Sequence, residues 1–239
     1  MNAKAKWFKQ AILNESKAMT ELWLTLVNSV NAALGEVHVM TAWEALAVVL
    51  AMAYLLLAMK ASVWCWAAAF TSTAIYTVLF WKVALLMESV LNIYYMAMAL
   101  YGYWLWTQGG DKHQGVKVTT WPLKTHLKLI VATGIVSLGV GHGMATFTQA
   151  SFPYLDAATT CFAVMTTYLV AKKVLENWLY WVVIDLVSIY LYLSKGLMLT
   201  SLLFVLYVGL AVVGYFLWRA ALADSRNPHL ESSAAKLLG

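Results

Sequence analysis

Eight long apolar runs dominate this sequence and constrain its fold more than any other feature. They cover residues 20–34, 39–59, 62–80, 84–106, 126–147, 154–171, 176–193 and 196–218. Most approach the about 20 residues that an α-helix needs to cross a hydrocarbon core of ~30 Å. The runs are continuous rather than alternating, so they predict helices and not the strands of a barrel. Hydrophobic types make up 62% of the 239 residues and charged types only 11%. A soluble domain carries about 25% charged residues, so this chain has too few to coat a water-facing surface. The same figures exclude a disordered chain, a disulfide scaffold and a coiled coil. Eight spans of about 20 residues consume roughly 160, which leaves no room for a separate soluble domain. The first run is the shortest and most polar, with Glu21, Asn28 and Asn31 inside it.

The net charge of +5 would suggest nucleic acid in a soluble chain. Here the lysines flank membrane helices, where they set orientation, and the predicted surroundings are a lipid bilayer, not nucleic acid. If all eight runs cross, one side holds Lys4, Lys6, Lys9, Lys17, Lys60, Lys112, Lys117, Lys124, Lys128, Lys172, Lys173, Arg219, Arg226 and Lys236. The other side holds only Lys82 and Lys195. That asymmetry predicts both termini in the cytoplasm. Were the first run not to cross, its four lysines would change sides and the asymmetry would weaken. Cys65 and Cys161 sit inside apolar runs and read as small hydrophobes. No signal peptide is expected, because no compact apolar core with a cleavage site follows the N-terminal lysines. The longest loop, 107–125, is broken by Gly109, Gly110, Gly115 and Pro122, and the polar tail after Arg219 is expected to be solvated.

Compared with itself at an offset of 114, the chain matches Tyr54 with Tyr168, Trp64 with Trp178 and Tyr76 with Tyr190. Tyr101 also meets Tyr215, and Trp104 meets Trp218. This predicts a duplicated unit of three helices, 39–106 and 154–218. Three crossings reverse the side of the chain, so the helix 126–147 must intervene for both units to point the same way. The expected fold is therefore all-α and polytopic: two parallel three-helix repeats joined by a linking helix (3+1+3), plus an N-terminal helix. The corresponding segments are 1–38, 39–106, 107–153, 154–218 and 219–239. Parallel repeats are a transporter architecture with the substrate at the repeat interface near the midplane. The SWEET sugar transporters share this topology, so fold alone leaves the substrate open. Gly139 and Gly143 on the linking helix have GxxxG spacing, read as internal helix packing or as an oligomer contact.

An ionisable group deep in a span is costly and points to function. Asp185 lies about nine residues into its run. Asn177, Trp181, Asp185 and Ser188 fall at i, i+4, i+8 and i+11, which is one helix face. No lysine or arginine lies at matching depth, which weighs against a structural ion pair. A second face on 84–106 carries Glu88, Asn92, Tyr95 and, one turn on, Ala99. Glu44 and Asp156 open their runs, where acids suit a helix start; the other reading is an outer vestibule. Trp23, Trp66, Trp104, Trp106 and Trp218 sit near run ends and read as an interface belt, while Trp178 is ambiguous. His38, His113, His126, His142 and His229 show no ligand spacing, so no metal and no cofactor is expected. Acids without opposing bases suit a cation, aromatic faces suit a flat or charged ring, and amides and hydroxyls suit sugar hydroxyls.

The segments NIYYMAMALYGYWLW (92–106) and NWLYWVVIDLVSIYLYL (177–193), the second with Trp178, Trp181 and Asp185 in a WxxWxxxD pattern, resemble the characteristic stretches of the PnuC family of bacterial nicotinamide riboside transporters. The resemblance covers about 39–218. It implies a SWEET-like fold, a trimer in the bacterial inner membrane, and facilitated uptake of nicotinamide riboside, a pyridinium precursor of NAD, driven by its phosphorylation in the cytoplasm. It places Asn92, Tyr95, Trp178, Trp181 and Asp185 in the binding region. A SWEET-like carrier of a sugar or another vitamin, and an integral membrane enzyme, stand as alternatives.

Overall fold

A computed structural model describes residues 13–21, 23–25, 27–28, 31, 42–82, 86–110 and 114–226. Residues 22, 26, 29–30 and 32–34 of the predicted run 20–34 therefore lie outside the described residues; residues 13–21 are helical. Seven longer helices follow: α1 (Ala42–Met59), α2 (Trp64–Lys82), α3 (Leu86–Gln108), α4 (Leu123–Phe147), α5 (Pro153–Ala171), α6 (Asn177–Ser194) and α7 (Met198–Arg226). Each starts within three residues of an expected run. α7 runs eight residues past the predicted end, because nothing from Arg219 onward breaks a helix until Asn227 and Pro228. Apolarity and length suffice for a membrane crossing in α1, α4, α6 and the segment Thr200–Ser225 of α7. Threonine, serine, tyrosine and tryptophan dilute the hydropathy of α2, α3 and α5, and several of those side chains turn out to face inward.

Neighbours in sequence pack together: α1 on α2, α2 on α3, α4 on α5, α5 on α6 and α6 on α7. Two further contacts close the structure, α3 against α5 and α1 against α7.

The segments α1–α3 and α5–α7 share a set of local devices spaced 112 residues apart. α1 and α5 both end in a left-handed residue, Ala61 and Lys173, each with φ of 50°. At each end the next amide reaches back five residues, Ser62 to Leu57 O at 3.0 Å and Val174 to Leu169 O at 3.0 Å. This is the Schellman closure, which usually places glycine at the left-handed position. The Ser89 hydroxyl donates to Thr77 O, and the Ser201 hydroxyl donates to Ile189 O. Gly102 lies against the Trp66 ring as Gly214 lies against Trp178. These local features thus correspond at a spacing of 112, where the sequence by itself reads 114. Under 114, Trp64 and Trp104 were matched with Trp178 and Trp218, yet the first two are 67% and 55% exposed while the last two are buried. Trp66 and Trp106 are the buried counterparts.

The linking helix also differs from expectation. A Cβ at Gly139 or Gly143 would meet nothing within 4 Å, whereas one at Gly141 would lie 2.7 Å from the Tyr154 ring. Internal packing of α4 on α5 therefore uses Gly141, and the GxxxG pair faces away from the chain's own helices.

The long loop is tied down at the lysine-rich end. Thr119 bridges Val174, its amide donating to Lys173 O at 2.9 Å and its carbonyl accepting from Leu175 at 2.8 Å. The Trp121 amide donates to the Glu176 carboxylate at 3.4 Å. His126 Nδ1 is 3.0 Å from the Tyr180 hydroxyl, and its Nε2 is 3.6 Å from Glu176, an ion-pair distance rather than a hydrogen bond.

Candidate functional site

A cavity of ≈ 430 Å³ lies between α1–α3 and α5–α7, and each of those six helices contributes to its wall. Small residues create the space: Ala51 and Ala58 on α1, Ala69 on α2 and Ala211 on α7. Seven rings line it, namely Tyr54, Trp66, Tyr95, Trp178, Trp181, Phe204 and Tyr207. Ser72, Thr73 and Thr167 add hydroxyls, each donating to a backbone carbonyl: Ser72 to Ala47 O at 2.8 Å, Thr73 to Ala69 O at 2.8 Å and Thr167 to Ala163 O at 2.9 Å. Asp185 supplies the cavity's carboxylate. It is only 5% exposed, and among the described residues it has no hydrogen-bond or ion-pair partner. Burying such a group in lipid-embedded protein is costly unless water or a bound cation compensates.

Many lining residues are related by the 112 spacing: Trp66 and Trp178, Tyr95 and Tyr207, Leu55 and Thr167. The same spacing pairs Thr73 with Asp185 and Ala69 with Trp181. The two helix groups thus bring different chemistry to corresponding positions, with the carboxylate and the extra indole on α6.

A tryptophan cluster floors the chamber. Trp66 meets Trp106 edge-on at 5.3 Å, Trp106 meets Trp218 at 6.0 Å, and Trp218 meets Trp178 edge-on at 5.5 Å. Trp106 Nε1 donates to Ala171 O on α5 at 3.0 Å, and Trp218 Nε1 donates to Ala58 O on α1 at 2.9 Å. Below the cluster, Lys173 Nζ sits 4.2 Å from the centroid of the Trp106 ring, and burial pushes its ammonium below the usual lysine range.

The predicted residues divide among several places. Tyr95, Trp178, Trp181 and Asp185 line the central chamber. Glu88 and Ser188 instead line a separate polar cavity at the opposite end from the tryptophan floor. Asn92 is in neither; its amide donates to the Glu88 carbonyl at 2.9 Å along its own helix. Asn177 is buried at the start of α6, where its amide donates to Val174 O at 2.7 Å. Ala99 packs in the core. The expected belt residues Trp66, Trp106 and Trp218 are buried chamber wall and floor, a correction to the sequence reading, while Trp23 and Trp104 are exposed. Sequence reasoning missed Tyr54, Thr73, Phe204 and Tyr207. Only the match of Tyr95 with Tyr207 at an offset of 112 signals one of them. Asp156 is paired with Lys195 at 3.0 Å, and no cluster of three metal-binding side chains occurs among the described residues.

Six helices, of which α1, α6 and α7 are long and apolar enough to cross a membrane, line one ring-rich, carboxylate-bearing chamber, an arrangement that suits a multi-pass membrane transporter holding a solute between two helical groups. The sequence profile of the nicotinamide mononucleotide transporter family matches residues 41–220, and the chain belongs to that family. It is similar to the nicotinamide riboside transporter PnuC of Escherichia coli (strain K12), 20% identical over 172 residues, covering 62% of this chain and 72% of that one. It is also similar to the riboflavin/roseoflavin transporter RibM of Streptomyces davaonensis, 28% identical over 145 residues, covering 59% and 67%. Its fold matches the crystal structure of the vitamin B3 transporter PnuC with a TM-score of 0.61 at 19% identity, covering 85% of this chain and 92% of that one.

Proposed function

We propose that this protein carries nicotinamide riboside across the bacterial inner membrane by facilitated, alternating access. The observation that carries the reading is Asp185, a buried carboxylate without a basic partner among the described residues, set among aromatic rings. A pyridinium ring satisfies both features at once: its charge answers the carboxylate, and its flat face stacks on Trp181 or Tyr95. The chamber volume lies in the range of about 300–1,000 Å³ typical of small-molecule sites. Glu88, Asn92, Asn177 and Ser188 are then outside the central contact set, and Thr73 and Tyr207 join it.

Several finer features belong to the same reading. The two triplets are parallel repeats joined by α4 in a 3+1+3 order, a proposal supported by the shared turns, glycines and tryptophans at a 112-residue spacing. Both termini face the cytoplasm, supported by the lysine asymmetry. The assembly is a trimer, supported by family resemblance and by the unpacked Gly139 and Gly143 face of α4.

The decisive experiment is uptake of labelled nicotinamide riboside into vesicles holding the purified protein, with and without a riboside kinase and ATP inside. Uptake should equilibrate without the kinase and accumulate with it. Uptake no faster than in empty vesicles would end the proposal, and accumulation driven by a proton or sodium gradient would end its facilitated character. The RibM similarity favours a second reading, a riboflavin carrier. Flavin is neutral, so competition by riboflavin but not by riboside would select it.

A further inference from the structure

We propose that the polar cavity at the lysine-poor end is a second binding site, an outer vestibule that holds a small hydroxylated cation before it enters the central chamber. The inference rests on the cationic cargo proposed above. The cavity has a volume of ≈ 440 Å³, lies among α3, α4, α5 and α6, and shares no lining residue with the central chamber. Three charged groups face it: Glu88, Asp156 and Lys195. Lys195 Nζ lies 3.0 Å from both Asp156 carboxylate oxygens. That pair neutralises itself, and Glu88, with no side-chain partner among the described residues, leaves the cavity net negative.

A second, independent feature is Ser188. It lines the cavity and is only 4% exposed, yet its hydroxyl has no hydrogen-bond partner among the described residues. Unclaimed by the protein, this hydroxyl offers a donor and an acceptor to a ligand hydroxyl. Glu88 and Ser188 thus present a charge and a hydroxyl partner to one space. Ser188 also stands three residues after Asp185, one helical turn along the same face of α6. A cargo that leaves Ser188 thus has the central carboxylate one helical turn away on the same helix. An uncompensated charge in a narrow mouth with low-dielectric walls raises the local concentration of the opposite charge, and salt weakens the effect.

The test compares wild type, Glu88→Gln and Glu88→Lys at low and high salt, using riboside uptake into vesicles and calorimetric affinity in detergent. Glu88→Gln should raise the half-saturating riboside concentration for uptake about three- to ten-fold at low ionic strength, and Glu88→Lys should raise it further. Both factors should shrink toward one near 0.5 M salt, with the equilibrium affinity of the central site unchanged. Unaltered half-saturation at every salt concentration would overturn the vestibule while leaving the transporter reading intact. So would an equal loss of equilibrium affinity, which would assign Glu88 to the central site. Wild-type vesicles that take up no riboside would instead reject the cargo, and the vestibule with it.

Discussion

Asp185 could be singled out from the sequence because a lone carboxylate nine positions into an apolar run has no bland explanation at that depth. Its neighbours in the chamber were harder to find, since tyrosine and threonine are common on membrane helices and their direction depends on helix rotation. The Asp185→Asn variant should bind riboside more than tenfold less tightly, a loss of about 1.4 kcal/mol or more. Unchanged affinity in a calorimetric titration would remove Asp185 from the site. At Trp181 the ring's π face is the proposed contribution, so Trp181→Leu should lose more affinity than Trp181→Phe. Equal losses would mean that only bulk matters there.

At the scale of the element, register was the difficulty. Residues 64–66, 101–103 and 104–106 each carry two aromatic rings two positions apart, so the chain matches itself at 114 as well as at 112. Two residues turn a helix by roughly 200°, and the wrong register exchanges the buried face for the lipid face. Contacts favour 112, because Gly102 and Gly214 each have a tryptophan ring directly above them. A Cβ would lie 2.3 Å from Trp66 Cε2 in one case and 2.7 Å from Trp178 Cε3 in the other. Gly102→Ala and Gly214→Ala should each destabilise the detergent-solubilised protein by about 1–3 kcal/mol through overpacking. Gly139→Ala meets open space and should be neutral or slightly stabilising within the chain. Thermal melts of the three variants would check the ranking, and equal melting temperatures would contradict the packing described here.

Across the whole molecule, the two helical triplets are joined by hydrogen bonds from Trp106 to Ala171, from Trp218 to Ala58 and from Tyr94 to Val164 O, and the indoles of Trp106 and Trp218 lie 6.0 Å apart, tilted by 60°. Replacing either indole by phenylalanine keeps much of the ring and removes the N–H. Trp106→Phe and Trp218→Phe should each cost about 1 kcal/mol, and the double variant should deviate from additivity because the rings touch. Strict additivity in melts of single and double variants would mean that the two indole hydrogen bonds act independently. Alternating access requires the triplets to move relative to each other, so the same variants should also alter uptake rate more than equilibrium affinity. The reverse pattern, a large affinity loss with normal rates, would place these tryptophans in the binding site itself.

The amino-acid sequence by itself determined that this is a bundle of membrane helices, where most of them begin, and that one acid sits deep among aromatic residues. It also carried the family's two aromatic stretches. Tertiary structure alone decided how each helix is rotated. It sent Glu88 and Ser188 to one cavity and Asp185 to another, and it turned Trp66, Trp106 and Trp218 inward from a supposed belt. The physical reason is that lipid is as apolar as the protein interior. A soluble helix marks its inner face by hydrophobic contrast, but a membrane helix has no such contrast, so only the packed neighbours reveal which side faces the cargo.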